Sequence, residues 1–207
     1  MLHVPGMHRE HDGLRIAHLS DIHVGQATSA VRIRRAVAEV NAREPDVIFL
    51  TGDYVTHSPK PLPRVIELLA GFTRPVFAVL GNHDHWVDAH YLRTGFERLG
   101  YTVLQNEHRV VQVRGAPLTV LGIDDGRTHR DDVEATFRGR PSPARDWCSR
   151  TRRPPSRSCP RMAIWCSSPD TRTAGSSWCE GSRRPSSGAR ASRTSRATTT
   201  CVAINCT

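Results

Sequence analysis

The sequence predicts an α/β fold organised on a parallel sheet, and three observations carry that prediction. Short apolar runs alternate with segments whose apolar residues recur at helical spacing. The order is strand, helix, strand, helix, strand, which right-handed crossovers turn into parallel neighbours covered by helices. Each strand also ends in a small polar cluster, where open α/β sheets place their sites. All of this lies within residues 1–139 of a 207-residue chain.

The elements follow in order. Residues 14–19 form an apolar run that ends in Ser20-Asp21. Thr28 or Ser29 can cap the helix that follows, in which Ala30, Ile33, Val37 and Val40 share one face. Pro45-Asp46 punctuates, and Val47-Ile48-Phe49-Leu50 is a second strand leading into Thr51-Gly52-Asp53. Leu62, Val65, Ile66 and Leu69 mark a second helix. Pro75 opens a third strand over 76–80, which runs into Gly81-Asn82-His83-Asp84. Leu92, Phe96 and Leu99 mark a third helix. Residues 110–113 and 118–123, on either side of Arg114-Gly115-Ala116-Pro117, read as a hairpin.

Charge divides the chain near Arg140. Residues 1–139 hold 16 Lys and Arg against 17 Asp and Glu, a net of −1. Residues 140–207 hold 13 Arg, no Lys and 3 acids, a net of +10. All 11 His precede position 130, whereas all 6 Cys follow position 147. The two parts are read as an α/β domain over 1–139 and an Arg/Ser-rich tail over 140–207. Neither part contains an apolar run of about 18 residues that could span a membrane. Residues 1–13 are too polar for a secretory signal, so a cytoplasmic location is expected.

Asp21-x-His23, Gly52-Asp53 and Gly81-Asn82-His83-Asp84 occupy three strand ends that converge in a parallel sheet. Carboxylate oxygen and imidazole nitrogen suit hard and borderline divalent cations. Asp21 and His23 can reach one metal from a single turn. Asp53 can bridge two metals through its two oxygens, and Asn82 offers a neutral carbonyl. Two metals about 4 Å apart can clamp a phosphate and acidify a bridging water near neutral pH.

The three motifs together resemble the calcineurin-like metallophosphoesterase family, over roughly residues 13–135. The run Leu14-Arg15-Ile16-Ala17-His18-Leu19-Ser20-Asp21-Ile22-His23 is similar to a bacterial phosphodiesterase branch near the UDP-2,3-diacylglucosamine hydrolases. The resemblance implies a two-layer α/β sandwich and a dinuclear site of Mn, Fe, Zn or similar ions. Asp21 and His23 would then bind the first metal, Asp53 would bridge, and Asn82 would bind the second. His83 would contact the scissile phosphate or protonate the leaving oxygen, with Asp84 holding it. The expected reaction is hydrolysis of a phosphate ester or pyrophosphate by a metal-bridged hydroxide. The expected partner is a phosphate-ester substrate, with membrane association only through that substrate. The family pattern also needs three later His, one after a fourth strand and two in a Gly-His-x-His motif. None follows His129, so the truncated domain is expected to be impaired.

Other residues carry plainer readings. Asp84 can equally be a helix cap. His18 reads as structural, and His57, His85 and His90 as solvated loop residues. Asp124-Asp125 either line the site or form a turn, and Trp86 either walls a pocket or packs on a helix. The tail has no Cys-x-x-Cys pair, which argues against zinc and disulfides. A basic tail that binds nucleic acid, carried on a non-catalytic α/β scaffold, is the alternative function.

The tail has a third reading, as the same gene translated out of frame. It lacks any sustained period of 2 or 3.6 and is expected to stay disordered, leaving an open sheet edge. Shifting the frame across 169–176 allows Gly-His-(Ala or Thr)-His-Gly-Gly-Gln. The same shift across 146–151 allows Leu-Val-Leu-Ala-His, and across 164–167 it allows a further apolar run. Those features, in that order, resemble the missing ligand motifs. A frameshift is therefore expected between about Arg138 and Trp147.

Overall fold

A computed structural model of the chain describes residues 2–4, 9–25, 28–139, 162–165 and 197–205. The elements in chain order are β1 (Leu2–Val4), β2 (Leu14–Ser20), α1 (Ala30–Ala42), β3 (Val47–Thr51), α2 (Leu62–Leu69), β4 (Val76–Val79), α3 (Asn82–Val87), α4 (Ala89–Arg98), β5 (Thr102–Val103), β6 (Glu107–Val113), β7 (Ala116–Gly122), α5 (Val133–Phe137), β8 (Met162–Trp165) and β9 (Ala197–Asn205). The main sheet has the order β1-β9-β2-β3-β4-β5, and a second sheet has the order β6-β7-β8. From β9 to β5 every pairing in the main sheet is parallel.

Burial on both faces explains why the central strands read as unbroken apolar runs. All five residues of β3 and all four of β4 are buried. Alternate residues feed two cores. Ala17, Leu19, Ile48, Leu50, Ala78 and Leu80 pack beneath α1, α2 and α4, together with Ile33, Val37, Leu69 and Phe96. Leu14, Ile16, Val47, Phe49, Phe77 and Val79 face the second sheet, where Leu118 and Val120 meet them. The architecture is thus a mixed α/β sandwich, helical on one face of the main sheet and closed by β structure on the other.

The helices and the hairpin follow their sequence signals. Ser29 caps α1 by accepting the Arg32 N–H, and the four apolar positions expected of this helix lie on its inner face, Ile33, Val37 and Val40 being buried and Ala30 packed against them. The hairpin turns on Arg114 (φ 53°) and Gly115 (φ 81°) alone. Two successive left-handed residues match the twist of the flanking strands. Ala116 and Pro117, expected in the connection, belong to β7 and pair with Val113 and Gln112.

The region 140–207 mostly lies outside the described residues, and so does the expectation that it is disordered. Its two described stretches are strands. Met162–Trp165 pairs antiparallel with β7. Ala197–Asn205 runs parallel to β2 from the Leu14–Thr199 pair to the Ser20–Asn205 pair and antiparallel to β1. The β2 edge that a domain ending at 139 would leave open is therefore covered. Thr198-Thr199-Thr200, Val202 and Ile204 are β-branched, which suits that pairing. No helix among the described residues is long and apolar enough to cross a membrane.

Candidate metal centre

The three polar clusters meet at the carboxyl ends of β2, β3 and β4. Backbone bonds stitch the two loops after β2 and β3 together, from Asp21 N–H to Gly52 O (3.2 Å), His23 N–H to Asp53 O (3.0 Å) and Val24 N–H to Tyr54 O (2.8 Å). Asp21, His23 and Asp53 all sit in the left-handed region, at φ 55°, 45° and 57°. For non-glycine residues this is an uncommon conformation that the surroundings must hold in place. Gly52 makes the close approach between neighbouring strand ends possible. A Cβ at this position would lie 2.5 Å from the Gly81 backbone nitrogen.

Asp84 is the residue that ties the β3 and β4 ends together. Its Oδ2 accepts N–H bonds from Asp53 and Gly81, both at 2.8 Å, and its Oδ1 accepts that of Tyr54 at 2.8 Å. It reaches back from the first turn of α3 to the residue that caps it. Burial pushes its carboxyl up to about 6; the Gly81 bond opposes this, the neighbouring Asp53 charge adds to it, and the Tyr54 and Asp53 bonds also oppose it. The cap expected of Asp84 is therefore present, extended into a clamp across two loops.

One carboxylate oxygen of Asp53 and one ring nitrogen each of His23 and His83 lie within 4.8 Å of one another. Asp53 is buried, and the two imidazoles are half-buried. His23 Nδ1 faces the Val55 carbonyl at 3.1 Å, and His83 Nδ1 faces the Thr56 carbonyl at 2.7 Å. A carbonyl can only accept, so each Nδ1 carries the proton and each Nε2 keeps its lone pair. That tautomer is the one a metal-binding imidazole needs. The Asp53 Oδ1 also accepts the His83 N–H at 3.2 Å. Two neutral imidazoles and a buried carboxylate make a donor set that fits a borderline divalent cation.

The other expected site residues are placed around this cluster. Asn82 is buried at the start of α3, one residue before His83. Asp21 is half-buried and accepts a short hydrogen bond from the Ser20 hydroxyl; its side chain is outside the three-residue cluster. The structure thus groups His83 with His23 and Asp53, where the sequence pattern grouped Asp21 with His23. Four rings line the approach. His83 meets His23, His57 and Trp86 at centroid separations of 5.0, 4.8 and 4.9 Å. His57 is solvent-exposed, as its loop position suggested, yet its ring packs on His83.

Two residues differ from their sequence readings. His85 is in α3 rather than in a solvated loop, with a side chain only 4% exposed, and its Nε2 lies 2.6 Å from Asp124 Oδ1. Asp124 also accepts from Gln105 Nε2 at 2.7 Å and from the Asp125 N–H. This pair anchors α3 to the end of β7. His18 is structural as expected. Its Nε2 bonds Thr51 Oγ1 at 2.7 Å, and burial pushes its pKa down against the opposing charge of Asp21. The single signal in sequence for the His85–Asp124 pair was the polar Asp124-Asp125 doublet directly after an apolar strand.

The model of the family described as calcineurin-like phosphoesterase matches residues 14–183. Among curated proteins, the chain is 30% identical over 137 residues to an uncharacterized metallophosphoesterase of Bacillus subtilis, YkoQ. That alignment covers 60% of this chain and 48% of the relative. It is 30% identical over 114 residues to an uncharacterized metallophosphoesterase of Aquifex aeolicus, covering 54% of the chain and 42% of the relative. A shorter match, 33% over 76 residues, links it to the UDP-2,3-diacylglucosamine pyrophosphatase LpxG of Chlamydia trachomatis, covering 35% and 23%. The chain thus spans about half or less of the length of these relatives. A family match over most of the chain, an α/β sandwich and a cluster of metal-type donors at three strand ends lead to one conclusion: the chain belongs to the calcineurin-like phosphoesterase family.

Proposed function

We propose that this chain is a metal-dependent hydrolase of phosphate esters, with two ions at the β2–β3–β4 ends, and that it is impaired as it stands. The observation that carries the proposal is the cluster of His23, Asp53 and His83 with both imidazole tautomers set by backbone carbonyls. Asp21, His23, Asp53 and Asn82 would hold the metal, which when bound supplies Lewis acidity toward a phosphoryl oxygen and an activated water. Asp53 is held by its place in the Asp84-clamped loop and aims one oxygen at the His83 N–H. His83 presents Nε2 toward a bound phosphoryl group, for contact or for proton donation to the leaving oxygen. Asp84 touches no substrate and fixes the two loops. The relatives include a pyrophosphatase of a lipid-linked nucleotide by name, so phosphodiesters and pyrophosphates are the first substrates to try.

The impairment follows from donor number. No His follows His129, so the three later ligands implied by the family pattern are missing. Hydrolysis of bis-p-nitrophenyl phosphate with added Mn²⁺ should be slow but measurable and should disappear in Asp53→Asn. Rates that ignore both the metal and the substitution would defeat the proposal. Calorimetry should show weak Mn²⁺ uptake, and two tight ions per chain would contradict the impairment. Sequencing the locus across codons 135–207 tests its cause: a shifted frame that spells the missing His codons should, once restored, bring activity back.

A further inference from the structure

A cleft of about 400 Å³ lies beside the candidate metal centre. Its walls are the loop after β2 and the start of α1 on one side, and the end of the β3–α2 loop and the start of α2 on the other. Gly25, Ser29, Ala30, Lys60, Pro61 and Arg64 carry the argument. Gly25 is two residues past His23, and a Cβ on it would be 3.4 Å from the Pro61 side chain. The two loops that hold His23, Asp53 and His57 therefore also frame this cleft, so its occupant would reach the metal centre along them.

The cleft is positive by construction. Both helices open into it with their N-termini, and neither α1 nor α2 has an acidic residue in its first turn. Helix N-termini favour anions and disfavour cations, yet Arg64 stands in the first turn of α2 and Lys60 just before it. Both side chains are exposed. Among the described residues neither meets a carboxylate. The acid one turn on from Arg64, Glu67, is paired with Arg34 at 3.0 Å instead. Two cations placed where the local field repels them, with no acid near, leave an anion as the complementary occupant. An Arg fork, an ammonium and free helix N–H groups suit the tetrahedral oxygens of a phosphoryl group.

We infer that this cleft binds a second phosphoryl group of the substrate, next to the ester being hydrolysed. The inference rests on the hydrolase reading for the word substrate, and on the cleft alone for phosphate binding. The test uses the full chain and Lys60→Gln/Arg64→Gln, with circular dichroism confirming that the variant folds. In calorimetry with EDTA present, inorganic phosphate should bind the parent and bind the variant about tenfold more weakly, as expected for lost charge-assisted bonds. Equal binding to both, or none to the parent, overturns the site. Acetate binding as tight as phosphate overturns the phosphoryl assignment. With Mn²⁺ present, adenosine 3′,5′-bisphosphate should bind the parent about tenfold tighter than adenosine 5′-monophosphate, and that advantage should vanish in the variant. Equal binding of the two nucleotides to the parent means the cleft takes free phosphate only, and the substrate assignment falls. Hydrolysis of bis-p-nitrophenyl phosphate, which carries one phosphate, should be the same in parent and variant. Its complete absence alongside the calorimetric differences would sink the hydrolase reading and leave the cleft standing.

Discussion

Gly52 and Asp84 show how single residues build the centre. Gly52 combines a φ of +87° with a contact that no side chain can relieve, because the nearest atoms belong to the Gly81 and Leu80 backbone. Gly52→Ala is expected to cost about 3 kcal/mol, from left-handed strain plus displacement of a strand end. Gly95 provides the contrast. A Cβ there would also approach to 2.5 Å, but the atom it meets is the Cδ1 tip of the Ile66 side chain. That tip can move, and Ala favours the helix by about 1 kcal/mol over Gly, so Gly95→Ala should change stability by no more than about 1 kcal/mol. Urea denaturation of the two variants checks both; similar losses would refute the distinction. Asp84 was legible as a cap because an acid three residues past a glycine fits a helix start. Its bonds to Asp53 and Tyr54 were not, because they span 30 or so residues of chain.

At the level of elements, α3 is the piece that sequence periodicity missed. Asn82–Val87 has no apolar stripe, so a 3.6-residue pattern cannot reveal it. Polar anchors hold it in place, Asp84 at its start and the His85–Asp124 pair beneath it. The pair makes stability depend on pH. Burial tends to raise the Asp124 pKa, but its bonds with His85, the Asp125 N–H and Gln105 outweigh that and leave it lowered. A lowered carboxylate binds fewer protons folded than unfolded. Its contribution is therefore complete above the unfolded value of about 3.9 and is lost as pH falls through the lower folded value. Asp124→Asn should lose about 2 kcal/mol at pH 7, where it leaves His85 with a poorer partner. It should also unfold with a flatter pH dependence below about pH 4 than the parent. Denaturant midpoints measured from pH 2.5 to 7 decide this. Parallel curves for the two proteins would mean that the pair does not couple folding to protons.

For the whole molecule, the arrangement of the sheets makes region 140–207 part of the structural question. β9 lies between β1 and β2, and β8 extends the second sheet. A chain ending at Gly139 would lose both and expose the full length of β2 as an unpaired edge. Such a truncation is expected to self-associate, read as a rising apparent mass with concentration in light scattering. A monodisperse monomer would show that β2 does not need this cover. The charge split, −1 over 1–139 against +10 over 140–207, bears on the rival function. Salt-sensitive RNA binding that persists after residues 1–139 are removed would favour a basic binding tail.

By itself the sequence determined the layered α/β class, the order of strands and helices, and the identity of the chemical groups at the strand ends. These follow from local causes. Burial on both faces demands continuous apolar runs, helices bury one stripe, and parallel sheets put their loops at one end. Tertiary structure alone decided which groups share a cluster and which atoms they offer. His83 joins His23 and Asp53 because α3 starts directly at Asn82 and because the left-handed turns at His23 and Asp53 swing both side chains toward it. The free Nε2 atoms depend on carbonyls of Val55 and Thr56, and the phosphate-sized cleft depends on two helices, far apart in sequence, opening side by side. Positions set by packing between distant segments have no period and no local composition to betray them, so only the folded chain displays them.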